Sequence, residues 1–412
     1  MARLRLPATI VLVFPLMAPV ARAAAPEPRP FLEGLTFPTN MAFAPDGTLF
    51  YTEKETGNVR VVTPAGTLLD RPFITLAVMP EAERGLLGIA LHPDFDEQPW
   101  VYLYFSDPVD ARNRLVRVRA DGAVAVGEPE TLLEGLSAVA GYHNGGDLVF
   151  DSDGALFVAL GEAHEAERAQ DPGDLGGKIV RLTESGDVPT DGSFGSDTPV
   201  WSIGHRNSFG LCVDPASGEL WETENGPDRD DEVNLIERGG NYGWPLVTGR
   251  ADDERFVDPV VVFGQPIAIT GCAVVDGDLW FGSFDGRLWR LARDARGSGE
   301  VEEIATFPTG VTDVSTGPRG ELYVATADAI WTVRPPTGSP APSPNIPRPT
   351  AGAESPIAPV GSAGSDDGSG VRTWIAIGAL IVLAGALGAR FVAGRRLRSG
   401  RRSRDDRPGS AG

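Results

Sequence analysis

The sequence predicts an all-β protein, and within that class a six-bladed β-propeller over residues 26–334. The first observation is a degenerate repeat in which a glycine-containing turn is followed by alternating apolar residues. Its six copies lie at residues 45–51, 92–104, 153–158, 217–221, 276–281 and 319–324. The second is the abundance of turn-forming residues, with 51 glycines and 35 prolines in 412 residues. The third is that no stretch longer than about ten residues in this region has helical periodicity.

Each copy of the repeat predicts one tight turn and the strand that follows it. Asp-Gly pairs such as Asp46-Gly47 and Asp153-Gly154 favour turns between antiparallel strands. Apolar alternation before and after most copies adds further strands, which gives three or four strands in each unit. Six similar units of this kind indicate a propeller. A TIM barrel or a Rossmann fold would need helices between the strands, and a β-sandwich would not explain the six units.

The composition excludes one class of partner. The chain has 57 acidic residues against 36 Lys and Arg, and its formal net charge is −21. Nucleic-acid binding needs basic surface that neutralises phosphates, so no nucleic-acid partner is expected. Only two lysines occur, Lys54 and Lys178. Any anionic ligand must therefore find local cations within an acidic protein.

The N-terminal segment predicts export. Residues 1–25 have the pattern of a signal peptide, in which Arg3 and Arg5 precede an apolar stretch at residues 8–20. Ala21-Arg22-Ala23 then supplies the small-x-small cleavage signal.

The C-terminal part predicts a membrane anchor. Residues 335–372 are rich in Pro, Ser, Gly and Ala, which predicts a linker that buries no core. Residues 373–394 form an apolar run of about the length that crosses a bilayer as one helix. Residues 395–412 are basic and belong on the cytoplasmic side by the positive-inside rule. The sequence thus predicts a single-pass protein of the cell membrane with its propeller on the extracytoplasmic side.

The two cysteines, Cys212 and Cys272, are too few for a disulfide framework. Both lie in apolar segments with the pattern of strands. We therefore expect two buried free thiols, while a single disulfide stays open because the propeller is expected outside the cytoplasm.

The segment 201–245 concentrates groups that could carry chemistry. His205-Arg206-Asn207 precedes one short predicted strand at residues 211–213, Gly226-Pro227 follows another at residues 219–223, and the acidic residues 228–232 come next. Arg206 is always charged and is therefore suited to hold a ligand oxygen. Exposed turn carbonyls such as those at Gly226-Pro227 can bind a hard cation such as calcium.

Three further histidines lie outside this segment, and two of them are in predicted loops. His143 stands beside glycines that let a ligand or backbone approach closely. It is suited either to general-base catalysis at neutral pH or to a structural role as a turn histidine bonded to backbone. His164 lies in an acidic loop and is expected to be inert.

Four sequence blocks resemble the soluble quinoprotein (PQQ-dependent) glucose/sorbosone dehydrogenase family. In chain order they are residues 204–207 (GHRN), 224–227 (ENGP), 231–234 (DEVN) and 240–245 (GNYGWP). Further similar segments are residues 84–95, 143–148 and 176–182. The resemblance therefore extends over about residues 31–334, which is nearly the whole predicted propeller.

The resemblance implies a propeller that holds pyrroloquinoline quinone (PQQ) and calcium over its central channel. His143 matches the catalytic base of the family, Glu162 stands where an acid orients that base, and Arg206 matches the residue that polarises the quinone oxygen. Gly226 and Pro227 match residues whose carbonyl groups bind calcium, which then acts as a Lewis acid. The implied reaction oxidises an aldose or a related polyol by hydride transfer to the quinone.

The resemblance also implies residues that surround these groups. Asn207 and Asn225 match cofactor-lining positions, and Glu83 lies where family members often carry a cofactor-contacting Gln. Glu232 and Tyr242 match a further calcium site. The identity of the electron acceptor is not indicated.

Several positions depart from the family pattern in ways that bear on cofactor binding. Glu162 stands where the family commonly has Asp, and Glu83 would face a tricarboxylate with like charge. The segment 283–286 lacks an expected Lys, and Gly310 and Thr312 replace two arginines. Charge-assisted hydrogen bonds contribute about 1.5–3 kcal/mol each, so these losses weaken the predicted grip on the cofactor.

Two functions are therefore weighed. An exported, membrane-anchored PQQ-dependent sugar dehydrogenase is favoured by His143, Arg206 and Gly226-Pro227. A non-catalytic calcium-binding propeller that binds carbohydrate or protein at the cell surface is favoured by the missing cations. A lactonase-like hydrolase would need acidic metal ligands from several blades, and residues 230–232 are too close together to supply them.

Overall fold

The predicted six-bladed β-propeller is confirmed. The computed structural model describes residues 27–292 and 301–334, which form six four-stranded antiparallel sheets. A short 3-10 helix, Ala166–Gln170, is the one helix among these residues. The 24 strands are numbered β1 to β24 in chain order.

The first three blades come from the N-terminal half of the described chain, after the separate strand β1 (Arg29–Glu33). Blade 1 contains β2 (Pro38–Phe43), β3 (Leu49–Glu53), β4 (Asn58–Val62) and β5 (Ile74–Thr75). Blade 2 contains β6 (Leu86–Leu91), β7 (Trp100–Asp107), β8 (Arg112–Asp121) and β9 (Val124–Ser137). Blade 3 contains β10 (Gly145–Phe150), β11 (Leu156–Leu160), β12 (Lys178–Leu182) and β13 (Val200–Ile203).

The other three blades follow in the same way. Blade 4 contains β14 (Ser208–Val213), β15 (Leu220–Glu224), β16 (Asp231–Ile236) and β17 (Val261–Phe263). Blade 5 contains β18 (Ile269–Val275), β19 (Asp278–Ser283), β20 (Arg287–Leu291) and β21 (Val301–Thr306). Blade 6 contains β22 (Val311–Thr316), β23 (Leu322–Thr326) and β24 (Ala329–Val333), and β1 is its fourth strand.

The sequence repeat maps onto one position in every blade. Each of its six copies runs into the second strand of a blade, from β3 in blade 1 to β23 in blade 6. These strands are buried along almost their whole length because each blade has a neighbouring blade packed against each of its two faces. Six apolar clusters fill the spaces between neighbouring blades, such as the one that joins Trp221 of blade 4 to Phe281 of blade 5. Burial of this apolar surface holds the ring together.

Strands from both ends of the described chain close the ring. β1 pairs antiparallel with β24, with Arg29 opposite Thr332 and Glu33 opposite Ala329. The innermost strands β2, β6, β10, β14, β18 and β22 contact one another in a complete cycle, with β22 returning to β2. This closure leaves no gap between the last blade and the first.

Each innermost strand is irregular near its start. Register shifts occur there in all six, for example between Gly145 and Leu148 in β10 and between Ser208 and Gly210 in β14. Such bulges bend a strand and redirect its side chains, and they are common beside active sites. The polar residues Asn40, Asp147 and Asp313 lie on these segments and face the central channel.

The expectation of two free thiols is wrong. Cys212 on β14 and Cys272 on β18 form a disulfide bond. The two residues are 60 positions apart in sequence, but β14 and β18 are neighbouring innermost strands, so the closed ring brings them together. Apolar strand patterns predict burial correctly and carry no information about which strands become neighbours.

Replacing both cysteines by alanine should lower the free energy of unfolding by about 2–4 kcal/mol, because the bridge restricts the unfolded chain. Urea unfolding of the double variant and the wild type, both without reductant, measures the difference. The wild type in the presence of reductant should unfold like the double variant. Equal unfolding midpoints for all three samples would contradict this prediction.

The predicted terminal segments lie outside the described residues. These are the signal peptide at 1–25, the linker at 335–372, the membrane helix at 373–394 and the basic tail at 395–412. Within residues 27–292 and 301–334, no helix has the length and apolar character required to span a membrane.

Candidate active site

Two adjoining cavities lie where the innermost strands begin. The larger, called here the central cleft, has a volume of about 860 Å³ that includes space open to solvent. Its lining includes the aromatic residues Phe37, Phe209 and Phe284 and the polar residues Asn40, Lys54, Glu83, Asn144, Asp147, Asn225 and Thr312. The smaller, called the side pocket, has a volume of about 240 Å³. It is lined by Arg206, Glu224, Gly226, Pro227, Asp230, Glu232, Tyr242, Trp244, Val247 and Thr248.

His143 and Glu162 form a buried pair beside the central cleft. His143 lies just before β10, and Glu162 follows β11 by two residues. Nδ1 of His143 is 2.9 Å from Oε1 of Glu162, and each side chain is 2% exposed. The carboxylate orients the ring and holds a proton on Nδ1, so Nε2 is the basic nitrogen of the neutral ring. This is the arrangement that the sequence predicts for a base and its orienting acid.

Glu162 remains a carboxylate in this environment. Burial alone would raise its pKa. The hydrogen bond and charge of His143 and the charge of Arg206 lower the pKa by a larger amount, so the pKa lies below its usual value. Its Oε2 atom also accepts a hydrogen bond from the backbone of His164. Its own backbone N–H donates to the carbonyl oxygen of Arg206 at 3.0 Å. Glu162 is therefore suited to stabilise a positive charge on His143.

Glu83 joins the histidine to the cofactor-lining positions. Its Oε2 atom accepts hydrogen bonds from the backbone N–H of His143 at 2.8 Å and from Nδ2 of Asn207 at 3.2 Å. The residue lines the central cleft, as the sequence predicts. These two hydrogen bonds hold the carboxylate at the wall of the cleft and offset part of its negative charge. The repulsion expected toward an anionic ligand is thereby reduced.

Arg206 lies in the side pocket rather than in the central cleft. Its Nη1 atom donates to the carbonyl oxygens of Asn225 at 3.1 Å and Gly226 at 2.9 Å. The guanidinium carbon is 5.2 Å from the centroid of the Trp244 ring. Arg206, Gly226 and Pro227 thus line the side pocket, whereas His143 lies beside the central cleft, next to the lining residue Asn144.

The environment of Arg206 is acidic. The side chain is buried, and burial lowers its pKa. Four carboxylates act in the opposite direction, namely Glu162, Glu83, Glu224 and Asp231. The positive charge of Arg206 is therefore surrounded by four carboxylates, which favour its charged form.

Several buried polar atoms around the central cleft have no hydrogen-bond partner among the described residues. They are Oδ1 of Asn207, Oδ1 of Asn225, Nδ2 of Asn144 and Oγ1 of Thr312. The Nδ2 groups of the first two are engaged, since Asn207 donates to Glu83 and Asn225 donates to the carbonyl of Ile269 at 2.9 Å. Buried polar groups without partners are rare, and here they indicate a polar ligand.

The predicted calcium residues meet in the side pocket. Gly226, Pro227, Glu232 and Tyr242 all line it. The hydroxyl group of Tyr242 donates to the carbonyl of Leu235 at 2.6 Å, so it is the ring rather than the hydroxyl group that lines the pocket. Carbonyl and carboxylate oxygens are the ligands that calcium prefers.

Sequence reasoning gave no role to Glu222 and Glu224. They alternate along β15, and Nδ1 of His205 lies 3.0 Å from Glu222 and 3.2 Å from Glu224. Burial disfavours a charged ring, but the charges of these two carboxylates raise the pKa of His205 to about 9. Burial and the charge of Glu224 raise the pKa of Glu232 well above its usual value. The spacing of two residues in a strand could have placed both carboxylates on one face.

Sequence reasoning also missed Lys54. It follows β3, and its side chain lines the central cleft. Phe284, from the segment 283–286 that lacks the expected Lys, and Thr312, at a predicted arginine position, line the same cleft, and Gly310 packs against Phe284. The described lining residues thus include a lysine on blade 1 and uncharged residues on blades 5 and 6. No motif marks Lys54, which explains why the sequence did not point to it.

Asp147 and Asp313 face each other across the channel below the cleft. Oδ2 of Asp147 accepts from the backbone of Leu211 at 2.7 Å, and Oδ2 of Asp313 accepts from the backbone of Met41 at 2.9 Å. Burial raises the pKa of Asp147 to about 6. Burial and the charge of Asp147 raise the pKa of Asp313 to about 8.

This pair predicts a pH-dependent stability. The raised pKa keeps Asp313 protonated in the folded protein up to about pH 8, whereas the unfolded chain releases this proton near the ordinary pKa of 3.8. The stability that the bound proton provides is therefore lost as pH rises through this range. Relative to Asp313→Asn, the wild type should lose up to about 1.4 kcal/mol per pH unit. Urea unfolding at several pH values measures this, and the exposed control Asp96→Asn should follow the wild type. Parallel curves for wild type and Asp313→Asn would contradict the prediction.

The donor sets of the two cavities fit the implied groups. The central cleft combines aromatic walls with unpartnered amide and hydroxyl groups and one ammonium group, which suits a planar ring system with polar substituents. The side pocket combines backbone carbonyls with carboxylates, which suits a hard cation. The residues present are therefore compatible with PQQ in the cleft and calcium in the side pocket.

A six-bladed propeller with a histidine–carboxylate pair beside its central cleft and an oxygen-lined side pocket is typical of one class of proteins. Residues 35–330 match the family described as Glucose / Sorbosone dehydrogenase, and the chain belongs to that family. The aldose sugar dehydrogenase YliI of Escherichia coli is 32% identical over 329 residues, which are 72% of this chain and 88% of that protein. Quinoprotein glucose dehydrogenase B of Acinetobacter calcoaceticus is 31% identical over 257 residues, which are 55% of this chain and 53% of that protein.

A solved structure of the family contains the cofactor. The PQQ-bound form of aldose sugar dehydrogenase from Streptomyces coelicolor is 30% identical to this chain and superposes with a TM-score of 0.69. The match covers 77% of this chain and 99% of that one.

Proposed function

We propose that the protein is a PQQ-dependent dehydrogenase that oxidises a hydroxyl group of an aldose or related polyol. The observation on which the proposal depends is the buried His143–Glu162 pair beside the central cleft. Membership of a family that includes the aldose sugar and glucose dehydrogenases supports the same activity.

His143 acts as the general base in this proposal. Glu162 keeps the proton on Nδ1, so that Nε2 takes the proton of the substrate hydroxyl. The imidazolium that forms is stabilised by the adjacent carboxylate, whose pKa lies below its usual value. A buried ion pair of this kind lowers the free energy of the charged state only while the carboxylate stays ionised.

The central cleft holds the cofactor in this proposal. When bound, PQQ supplies a quinone that accepts the hydride from the substrate carbon. Glu83, Asn207 and Asn225 line or border its site, and the unpartnered Oδ1 atoms of the two asparagines offer hydrogen-bond acceptors. Arg206 would turn from the carbonyls of Asn225 and Gly226 toward the quinone oxygen to polarise it.

Calcium occupies the side pocket in this proposal. The carbonyl oxygens of Gly226 and Pro227 would hold it beside the cofactor, and Glu232 would belong to a further calcium site, which Tyr242 would border without using its hydroxyl group. The carbonyl of Gly226 accepts a hydrogen bond from Arg206 at 2.9 Å, so the guanidinium group and the ion compete for the same oxygen. Calcium binding would therefore release Arg206 toward the cleft.

We further propose that the propeller is exported and anchored in the cell membrane. The signal peptide at residues 1–25 and the apolar run at 373–394, followed by the basic tail 395–412, support this arrangement. Protease treatment of intact cells tests it, because only an extracytoplasmic propeller is then accessible. Resistance in intact cells together with cleavage in lysed cells would contradict it.

The proposed activity is tested with the purified full-length chain in detergent. PQQ is titrated into the protein by calorimetry with calcium and with a calcium chelator, and an artificial dye is then supplied with aldoses and polyols. We expect calcium-dependent PQQ binding and dye reduction. Binding of calcium without any binding of PQQ would instead support a non-catalytic propeller that holds carbohydrate or protein at the cell surface.

A further inference from the structure

Lys54 is held in a fixed position in the lining of the central cleft. Its backbone N–H donates to the carbonyl of Phe37 at 3.0 Å, and its carbonyl accepts from the backbone of Leu86 at 3.1 Å. Its stem packs so closely on Gly85 that a Cβ atom there would lie 2.8 Å from Cγ of Lys54. The residue is only 5% exposed. The ammonium group therefore occupies its place in the cleft before any ligand binds.

The ammonium group has unused hydrogen-bonding capacity. It carries three donors, and with the described residues it makes one hydrogen bond, to the carbonyl of Pro80 at 2.8 Å. The ring centroid of Phe37 lies 5.7 Å away. Within residues 27–292 and 301–334, no carboxylate is in ion-pair distance of it. A buried ammonium group with spare donors in a cleft is a site for an anion.

The charges of the cleft point to the same conclusion. Phe284 and Thr312 place uncharged groups on the blade 5 and blade 6 sides, where the family pattern predicts cations. Lys54 reaches the same cleft from blade 1. We propose that Lys54 binds a carboxylate group of PQQ and replaces the basic residues absent from blades 5 and 6. The proposal rests on the proposed function, because it concerns the same cofactor.

The titration of Lys54 supports this assignment. Burial lowers its pKa to about 8, while the charges of Glu55, Glu83 and Glu81 raise it and that of Arg84 lowers it. A bound carboxylate favours the charged form and raises the pKa again. PQQ binding near pH 8 should therefore take up a proton, and the affinity should fall as pH rises above this value.

The test compares the PQQ affinities of full-length wild type, Lys54→Met and Lys54→Arg by calorimetry. Lys54→Met keeps the length of the side chain and removes its charge, and we expect it to weaken PQQ binding about tenfold to a hundredfold. Lys54→Arg should retain most of the affinity. The trimethyl ester of PQQ has no carboxylates, so its affinity should be the same for all three proteins.

The controls separate this proposal from the proposed function. Arg60→Met removes a positive charge from the same blade outside the cleft lining, and it should leave PQQ affinity unchanged. Thermal unfolding checks that each variant is folded. For the wild type alone, titration at pH 8 in buffers of different ionisation enthalpy measures proton uptake. Equal PQQ affinity of wild type and Lys54→Met, or absence of proton uptake, would overturn the assignment of Lys54. Absence of PQQ binding to the wild type would overturn the proposed function and this assignment together.

Discussion

A His143→Asn variant should lose PQQ-dependent sugar oxidation by a factor of about 10²–10⁴ and remain folded. The activity falls because asparagine cannot take a proton at the position of Nε2. The fold persists because Nδ2 of asparagine can replace Nδ1 of histidine as the donor to Glu162. Asparagine also tolerates the backbone of this residue, whose φ angle is +55°. Alanine would instead leave Oε1 of the buried Glu162 carboxylate without its hydrogen bond, at a cost of about 1–3 kcal/mol, while Oε2 keeps the bond from the backbone of His164.

The measurement is the initial rate of dye reduction at saturating PQQ and calcium, with PQQ affinity determined separately by calorimetry. His164→Asn is a matched control, since His164 also has a positive φ angle of +64° and its ring centroid lies 5.0 Å from that of His143. His164 is exposed, and the control variant should retain its activity. Full activity in His143→Asn, or an equal loss in both variants, would exclude His143 as the base.

An Arg206→Met variant should lose about 3–5 kcal/mol of unfolding free energy. Methionine fills a similar volume but removes the positive charge that acts on Glu162, Glu83, Glu224 and Asp231, of which all but Glu83 are buried. The carbonyl oxygens of Asn225 and Gly226 also lose their side-chain donor. Oxidation of sugar should fall as well, because the polarising charge beside the quinone is removed.

Urea unfolding at neutral pH measures the loss of stability. Arg238→Met is a matched control, because its guanidinium carbon also lies over a tryptophan ring, at 5.5 Å from the centroid of Trp201. That arginine is 48% exposed, so its replacement should change stability by no more than about 0.5 kcal/mol. Similar losses of unfolding free energy in the two variants would contradict the prediction that the carboxylates around Arg206 make its charge important for stability.

The architecture could be predicted from the sequence because it depends on local patterns. A turn followed by apolar alternation determines a strand, and six copies of that unit determine the number of blades. The pairing of His143 with Glu162 was accessible by another route, since the resemblance to the family implies an acid at Glu162 that orients the base. These features require only knowledge of neighbouring residues and of the family pattern.

Other features depend on contacts between distant segments and could not be predicted. Cys212 and Cys272 are bonded because two innermost strands become neighbours in the ring. Arg206 lies in the side pocket because its guanidinium group finds two carbonyl acceptors there, and a side-chain torsion leaves no trace in the sequence. Lys54 enters the cleft through the direction of its side chain after β3, which no motif specifies.

The pairing of β1 with β24 has a consequence for biosynthesis. A ribosome releases the chain from its N-terminal end, so Arg29–Glu33 must wait for its partner until Ala329–Val333 has been synthesised. During that interval the edge of β1 is exposed and available to the wrong neighbours. The final circular arrangement can form only after nearly the entire propeller has left the exit tunnel. Chaperone demand should therefore persist to the end of translation rather than decline blade by blade.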